Sequence, residues 1–177
     1  MIEDTNSNAT LNTNLTKVKG MEDSMSINGY VTVIKNVGTD SEEVICKDKH
    51  NLLTNSGRDW MHQQVYTYAA AATTNGAYFI GLSSDTATPA VGNTSLTSEI
   101  TTGGLERAAG ATTHGAGTNS TTIQKTFTSS AVHTAVVKAA LFNQLAVGGT
   151  MAHINTFTSV TLQASDTLQV TWTVTLG

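Results

Sequence analysis

From Thr167 to Leu176 the chain alternates without a break. Leu168, Val170, Trp172, Val174 and Leu176 are apolar; Thr167, Gln169, Thr171, Thr173 and Thr175 are polar. Successive side chains of a strand point to opposite faces, so this segment is expected to be a strand with one face in a core and the other wet or turned toward a partner. The reading extends backward. Residues 151–162 form a strand whose apolar phase slips between Ile154 and Phe157, which predicts a bulge there. Residues 135–142 alternate weakly and are expected to be buried on both faces, as is the short apolar run 77–82. Residues 122–128 give another strand, and Leu105 begins one that Gly110 to Gly117 should break. Gly148-Gly149 and Ala164-Ser165-Asp166 supply the turns. Near the other end, residues 29–35 and 43–47 read as a hairpin around the polar loop 36–41.

Only one stretch has helical spacing. Met61, Val65, Tyr68 and Ala72 would share a face, and Ser56 with Asp59 three residues on has the character of a capping box. A helix is therefore predicted over about 57–70. Sequential strands on short turns, roughly eight in all, point to a mainly β fold: an antiparallel β-sandwich, jelly-roll-like, carrying one α-helix. Residues 1–25 are a polar leader whose apolar positions (Leu11, Leu15, Val18, Met21, Met25) are too sparse to form a core. The expected organisation is an extended N-terminal arm over 1–25 and a single β-sandwich domain over 26–177. Residues 83–104 form a long polar excursion with Pro89, the only proline, and a short element near Leu96 to Ile100; a loop this long is often functional.

Composition narrows the function. Charged residues are 12% of the chain, against roughly 25% in ordinary soluble domains. Threonine takes much of their place. Its branched, hydroxyl-bearing side chain suits a strand whose outer face must stay hydrated, and such a face can dock without stripping water from many ions. The net charge of -4 and the lack of a basic run exclude nucleic acid as the main partner. Cys46 is the only cysteine, so no disulfide within the chain is possible. No apolar run reaches membrane-spanning length, and the acidic, polar start lacks the regions of a secretion signal, so synthesis in a cytoplasm is expected.

Candidate chemistry is thin. His50, His62, His114, His133 and His153 form no H-x-x-x-H or H-E-x-x-H pattern. His133 and His153 could face each other across strands, but a zinc site needs further ligands and none is evident. Asp85, Glu99 and Glu106 sit in or near the excursion without a spacing that fixes an acid/base pair, and Asp85 after Ser83-Ser84 reads as a turn residue. The glycine pairs lack the Lys-Ser/Thr of a phosphate loop, and there is no G-x-S-x-G. Arg58 and Arg107 are each open to an ion pair with an acidic neighbour. Trp60, Tyr66 and Tyr68 could stack on sugar rings, though packing of the helix is the plainer role for Trp60 and Tyr68. The expectation is a chain with no catalytic residues, no cofactor and no metal.

Several segments together resemble a pattern in tailed-virus (bacteriophage-like) virion structural proteins: Asn51-Leu-Leu-Thr-Asn-Ser-Gly-Arg-Asp before a helix, Ile80-Gly-Leu-Ser-Ser84, the small-residue and proline loop Ala87 to Thr94, Leu96-Thr-Ser-Glu-Ile100 with the later Arg107, and the closing Thr-Trp-Thr-Val-Thr-Leu-Gly. The resemblance covers roughly residues 50–177. It implies a virion component rather than an enzyme, with no membrane partner. Within that class a short single domain with a leader suited to strapping, and without a fibre shaft, is expected to be a capsid decoration (cement) protein. It would bind the major capsid protein and sister copies, as a homotrimer, and reside in the virion. The contacts expected are Leu11, Leu15, Val18 and Met21 of the leader and Pro89, Val91 and Leu96 of the excursion. The alternative is a tail or head fibre or appendage that binds a host receptor glycan, in which the excursion would be an exposed tip. A glycan-processing enzyme is a third, weaker reading.

Overall fold

The alternating segments become strands paired into two antiparallel sheets. The computed structural model describes residues 26–66, 76–116 and 118–176. The leader, and with it Leu11, Leu15, Val18 and Met21, lies outside the described residues. The first sheet has the order β2-β1-β10-β7-β6, from strands β1 (Ile27–Lys35), β2 (Glu43–His50), β6 (Ala111–His114), β7 (Ser120–Thr128) and β10 (Thr167–Leu176). The second has the order β3-β9-β8-β4-β5, from β3 (Leu52–Leu53), β4 (Phe79–Ser83), β5 (Ala108–Ala109), β8 (His133–Phe142) and β9 (Met151–Leu162). Strand β1 lies beside β10 along its whole length, from Ile27 opposite Leu176 to Lys35 opposite Leu168.

One core fills the space between the sheets. Val31 and Val33, Ile123 and Phe127, and Leu168, Val170 and Trp172 enter it from the first sheet; Ile80, Leu82, Val136, Leu141, Phe157, Val160 and Leu162 enter from the second. Leu168, Val170 and Trp172 are fully buried, so the predicted phase of β10 holds, and each large side chain contributes roughly 1.5–3 kcal/mol of burial. The chain closes the two lateral sides by crossing between the sheets. At Asn51 it leaves β2 for β3, the Asn51 N–H donating to the Gly29 carbonyl at 2.8 Å. At Gly110 it leaves β5 for β6, where an added Cβ would stand 2.6 Å from Ile123 Cγ2.

The expected break at 110–117 is in part a strand. Ala111–His114 pairs with β7, because its threonines tolerate an exposed edge position and only Gly110 interrupts the extended chain. The pairing of β9 with β8 is regular from His153 to Thr156 and slips on either side of that run. Ile154 belongs to a second apolar cluster, whereas Phe157 enters the inter-sheet core, so both positions are buried by ordinary alternation. The largest of its three slips falls between the pairs Lys138–Thr156 and Val136–Val160, where β9 uses four residues for two of β8.

The helix α1 (Asn55–Tyr66) starts two residues earlier than expected, and residues 67–70 of the predicted helix lie outside the described residues. Its capping residue is Thr54, not Ser56. Thr54 Oγ1 accepts the Gly57 N–H at 3.0 Å and donates to the Met151 carbonyl, while Thr54 N–H donates to the Ala152 carbonyl at 3.1 Å. Gly57 lets the first turn lie flat on β9: an added Cβ would stand 2.4 Å from the Ala152 oxygen. Thr54→Ala should therefore lower the unfolding free energy by about 1–2 kcal/mol. Thr54→Ser should recover most of it, which urea titration of the three proteins would measure.

Candidate partner-binding surfaces

The outer face of the second sheet is not free, because the excursion 84–104 folds back over it. Leu96 is 6% exposed and packs with Phe79, Ala140, Phe142, Met151 and Ile154. The short element expected near Leu96 to Ile100 is an isolated bridge between Glu99 and Ser83, extended by the Ile100 N–H donating to the Leu82 carbonyl at 2.8 Å. Two ion pairs fasten the excursion. Lys138, nearly buried in β8, donates to Asp85 Oδ2. The Ala87 N–H donates to the other carboxylate oxygen, Oδ1, at 3.1 Å, which is the turn role expected of Asp85. The Lys138 ammonium, and after it the Ala87 N–H, hold the Asp85 carboxyl below the ordinary carboxylate range.

The second pair is better buried. Arg107 donates from Nε to Glu99 Oε1 and from Nη2 to Oε2, both at 2.7 Å, with side chains only 5% and 9% exposed. This is the forked geometry that makes Arg–carboxylate pairs strong. The guanidinium lies 3.5 Å above the centre of the Phe142 ring. Its remaining nitrogen, Nη1, donates to three backbone carbonyls: Gln144 at 3.3 Å, Ala146 at 2.8 Å and Gly148 at 2.9 Å. Those residues alternate along the β8–β9 connection. The whole run 145–149 is exposed, with Leu145 at 56% and Val147 at 77%. Gly148 and Gly149, with φ of 102° and 71°, complete the turn in a conformation that other residues rarely adopt.

The outer face of the first sheet is open among the described residues. Its rows are Tyr30–Thr173–Thr122–Thr113, Thr32–Thr171–Gln124–Ala111 and Ile34–Gln169–Thr126. Side chains bond to one another along it: Gln124 Nε2 donates to Thr171 Oγ1 at 3.0 Å and Gln169 Nε2 to Thr126 Oγ1 at 3.1 Å. Beside it, between β2 and β9, runs a groove of about 380 Å³ lined by Lys35, Glu43, Val44, Ile45 and residues 158–161. Here β9 runs past the short β3, and lysines bond its carbonyls: Lys35 Nζ reaches Thr161 at 3.0 Å and Lys49 Nζ reaches Thr156. Lysines placed this way discourage a second strand from adding.

The sequence-derived candidates divide. Val91 is 47% exposed and its carbonyl accepts the Asn55 N–H at 2.8 Å. Pro89 is half-buried. Leu96 is a correction: it anchors the excursion from inside and offers no surface to a partner, because an apolar residue in a long polar loop is drawn onto the nearest apolar sheet face. His133 and His153 do not face each other; His133 lies opposite Leu162 and His153 opposite Leu141. His153 is 1% exposed, with Nδ1 unpaired and its ring 6.1 Å from that of Trp172, and burial pushes its pKa down to about 4. Among the described residues no group of three or more His, Cys, Asp or Glu could hold a metal ion, and no helix is long and apolar enough to cross a membrane. Burial raises the pKa of the Cys46 thiol, which leaves it a poor nucleophile.

Sequence reasoning missed Lys138, Leu145 and Val147. A lone lysine in a run otherwise read as buried on both faces was the available signal that an acidic partner must lie close. Two aliphatic residues within a predicted turn were the other. Comparison of the chain with protein-family models, with curated proteins and with solved structures returned no match.

Proposed function

We propose that this chain is a virion structural protein of the tailed-virus type: a capsid decoration protein that binds the major capsid protein shell, with sister copies, through its β-sandwich and its N-terminal arm. The sandwich reading rests on the single core shared by both sheets, and its jelly-roll-like character on the pairing of β1 with β10 and β3 with β9. The observation that carries the functional reading is what the resembling segments do. Thr54 and Gly57 seat the helix on β9, Gly81 leaves room for Glu99 Oε1 at 3.0 Å from where a Cβ would stand, and Glu99 fixes Arg107. They hold a scaffold together, as befits a protein whose work is contact. The Asp85 and Glu99 carboxylates are each engaged by a cation, which argues against an acid/base pair acting on sugars.

The excursion favours decoration over an adhesive appendage. A receptor-binding tip should stand away from the body, and residues 84–104 are tied to their own sheet by two ion pairs and Leu96. The open hydroxyl face and the charge-poor surface are suited to broad contact with a shell. Quantitative mass spectrometry of purified particles tests this. Decoration predicts copies in proportion to the major capsid protein; a few copies per particle would mean an appendage, and none would remove the virion reading.

A further inference from the structure

We propose that the recess between the excursion and the second sheet, beside Lys138 and Asp85, is a binding site for a small cluster of ordered water that completes the shell of the Lys138 ammonium. The two cations that fasten the excursion are met to different degrees. Arg107 has both carboxylate oxygens of Glu99 and three carbonyls. Lys138, its side chain only 3% exposed, has one acceptor among the described residues, Asp85 Oδ2. An ammonium carries three N–H donors, so two are left over. They sit on a charged group withdrawn from bulk solvent. Leaving such donors unmet costs more than immobilising a water.

The surroundings supply what water needs. The recess measures about 80 Å³, and Asp85, Asn93, Ser95 and Thr97 of the excursion line it opposite Lys138 in β8 and Ile154 in β9. At about 30 Å³ for each molecule, it has room for roughly two or three waters. The Ser95 and Thr97 residues bring hydroxyls that both donate and accept. Asn93 Oδ1 already accepts the Ala90 N–H at 2.7 Å, which leaves its NH2 group to donate. Charge selects a neutral occupant. The site holds one ammonium and one carboxylate, so an anion would meet Asp85 and a cation would meet Lys138. Water serves both at once. A sugar or cofactor needs a pocket of roughly 300 Å³ or more, well beyond this one. The excursion is therefore seated in two ways. Around Asp85 it rests on β8 through solvent, and around Leu96 it rests on dry apolar contacts.

The inference does not depend on the proposed function, and it is tested on the isolated full-length chain. A crystal structure fine enough to order solvent should show a water within hydrogen-bond distance of Lys138 Nζ, with its neighbours reaching Asn93, Ser95 or Thr97. Crystals soaked in sodium bromide should give no anomalous peak there. Lys138→Met should lose the water nearest residue 138 while Leu96 keeps its place; if that variant does not fold, the wild-type density decides alone. Lys138 Nζ turned out into bulk solvent, a recess with no ordered density, a bromide peak beside the ammonium, or a water that persists unchanged in Lys138→Met would each overturn it.

Discussion

Arg107→Ala should lower the unfolding free energy by about 3–5 kcal/mol, the largest effect expected of any single polar substitution in this fold. The guanidinium answers a carboxylate and three carbonyls at once and covers the Phe142 ring. Deleting it leaves Glu99, 9% exposed, as a buried charge without its partner. Lysine is no remedy, because a point charge cannot reproduce the fork on Glu99 and also reach the carbonyls. The joint replacement Glu99→Leu with Arg107→Met removes both charges and should recover most of the loss, since a buried pair rarely outperforms good apolar packing. The double variant should nevertheless exchange its amide hydrogens faster at 143–149, where the carbonyls have lost their donor. Denaturant titration combined with hydrogen exchange separates the two effects. A cost below about 1 kcal/mol for Arg107→Ala would show that the pair contributes little to stability.

Acidification should destabilise the protein in a window set by His153. Its folded pKa, about 4, lies below the ordinary 6.5, so the folded chain keeps the ring neutral while the unfolded chain takes up a proton. The stability this confers is complete above about pH 6.5 and is lost as the pH falls toward 4. A shift of that size corresponds to about 3 kcal/mol. The cause is removal from water: the side chain is buried in β9 beside Trp172, and its Nδ1 has no partner among the described residues. The lowered carboxyls of Asp85 and Asp166 act in a different range. Asp166 is held down by the Gln163 N–H first, then by Asn36 and Lys35, and both groups give up their contribution at and below the ordinary carboxylate pKa. His153→Leu should therefore flatten the stability profile between pH 6.5 and 4.5 and leave the steeper loss at lower pH in place. An unchanged slope in that variant would assign the dependence to another group.

Strand positions were legible where one face of the sheet stays wet. In β10 the alternation of threonine with Leu168, Val170 and Trp172 states both the strand and its orientation, and the structure buries those three residues; Val174, on the same face, is half-buried. Where a strand is covered on both faces, as in β9, apolar residues of either parity are buried, and the pattern no longer separates a bulge from ordinary packing. Ile154 and Phe157 were misleading for that reason. The candidate surfaces were less legible still. That Leu96 turns inward follows from the excursion folding onto Phe79 and Phe142, a contact between segments far apart in the chain that no local pattern encodes. Arg107 was visible as one of few arginines. Its grip on three carbonyls was not, because backbone acceptors leave no trace in residue identity.

The pairing of β1 with β10 also bears on how the molecule comes into being. Thr167 N–H donates to Asn36 Oδ1 at 2.8 Å across 131 residues of chain. On the ribosome, β1 must wait with only β2 beside it while everything between is translated, its inner valines uncovered. Until β10 emerges, a nascent chain displays an incomplete sheet with an unsatisfied border. A crowded polysome making many copies at once is where this protein runs its greatest risk of joining the wrong neighbour.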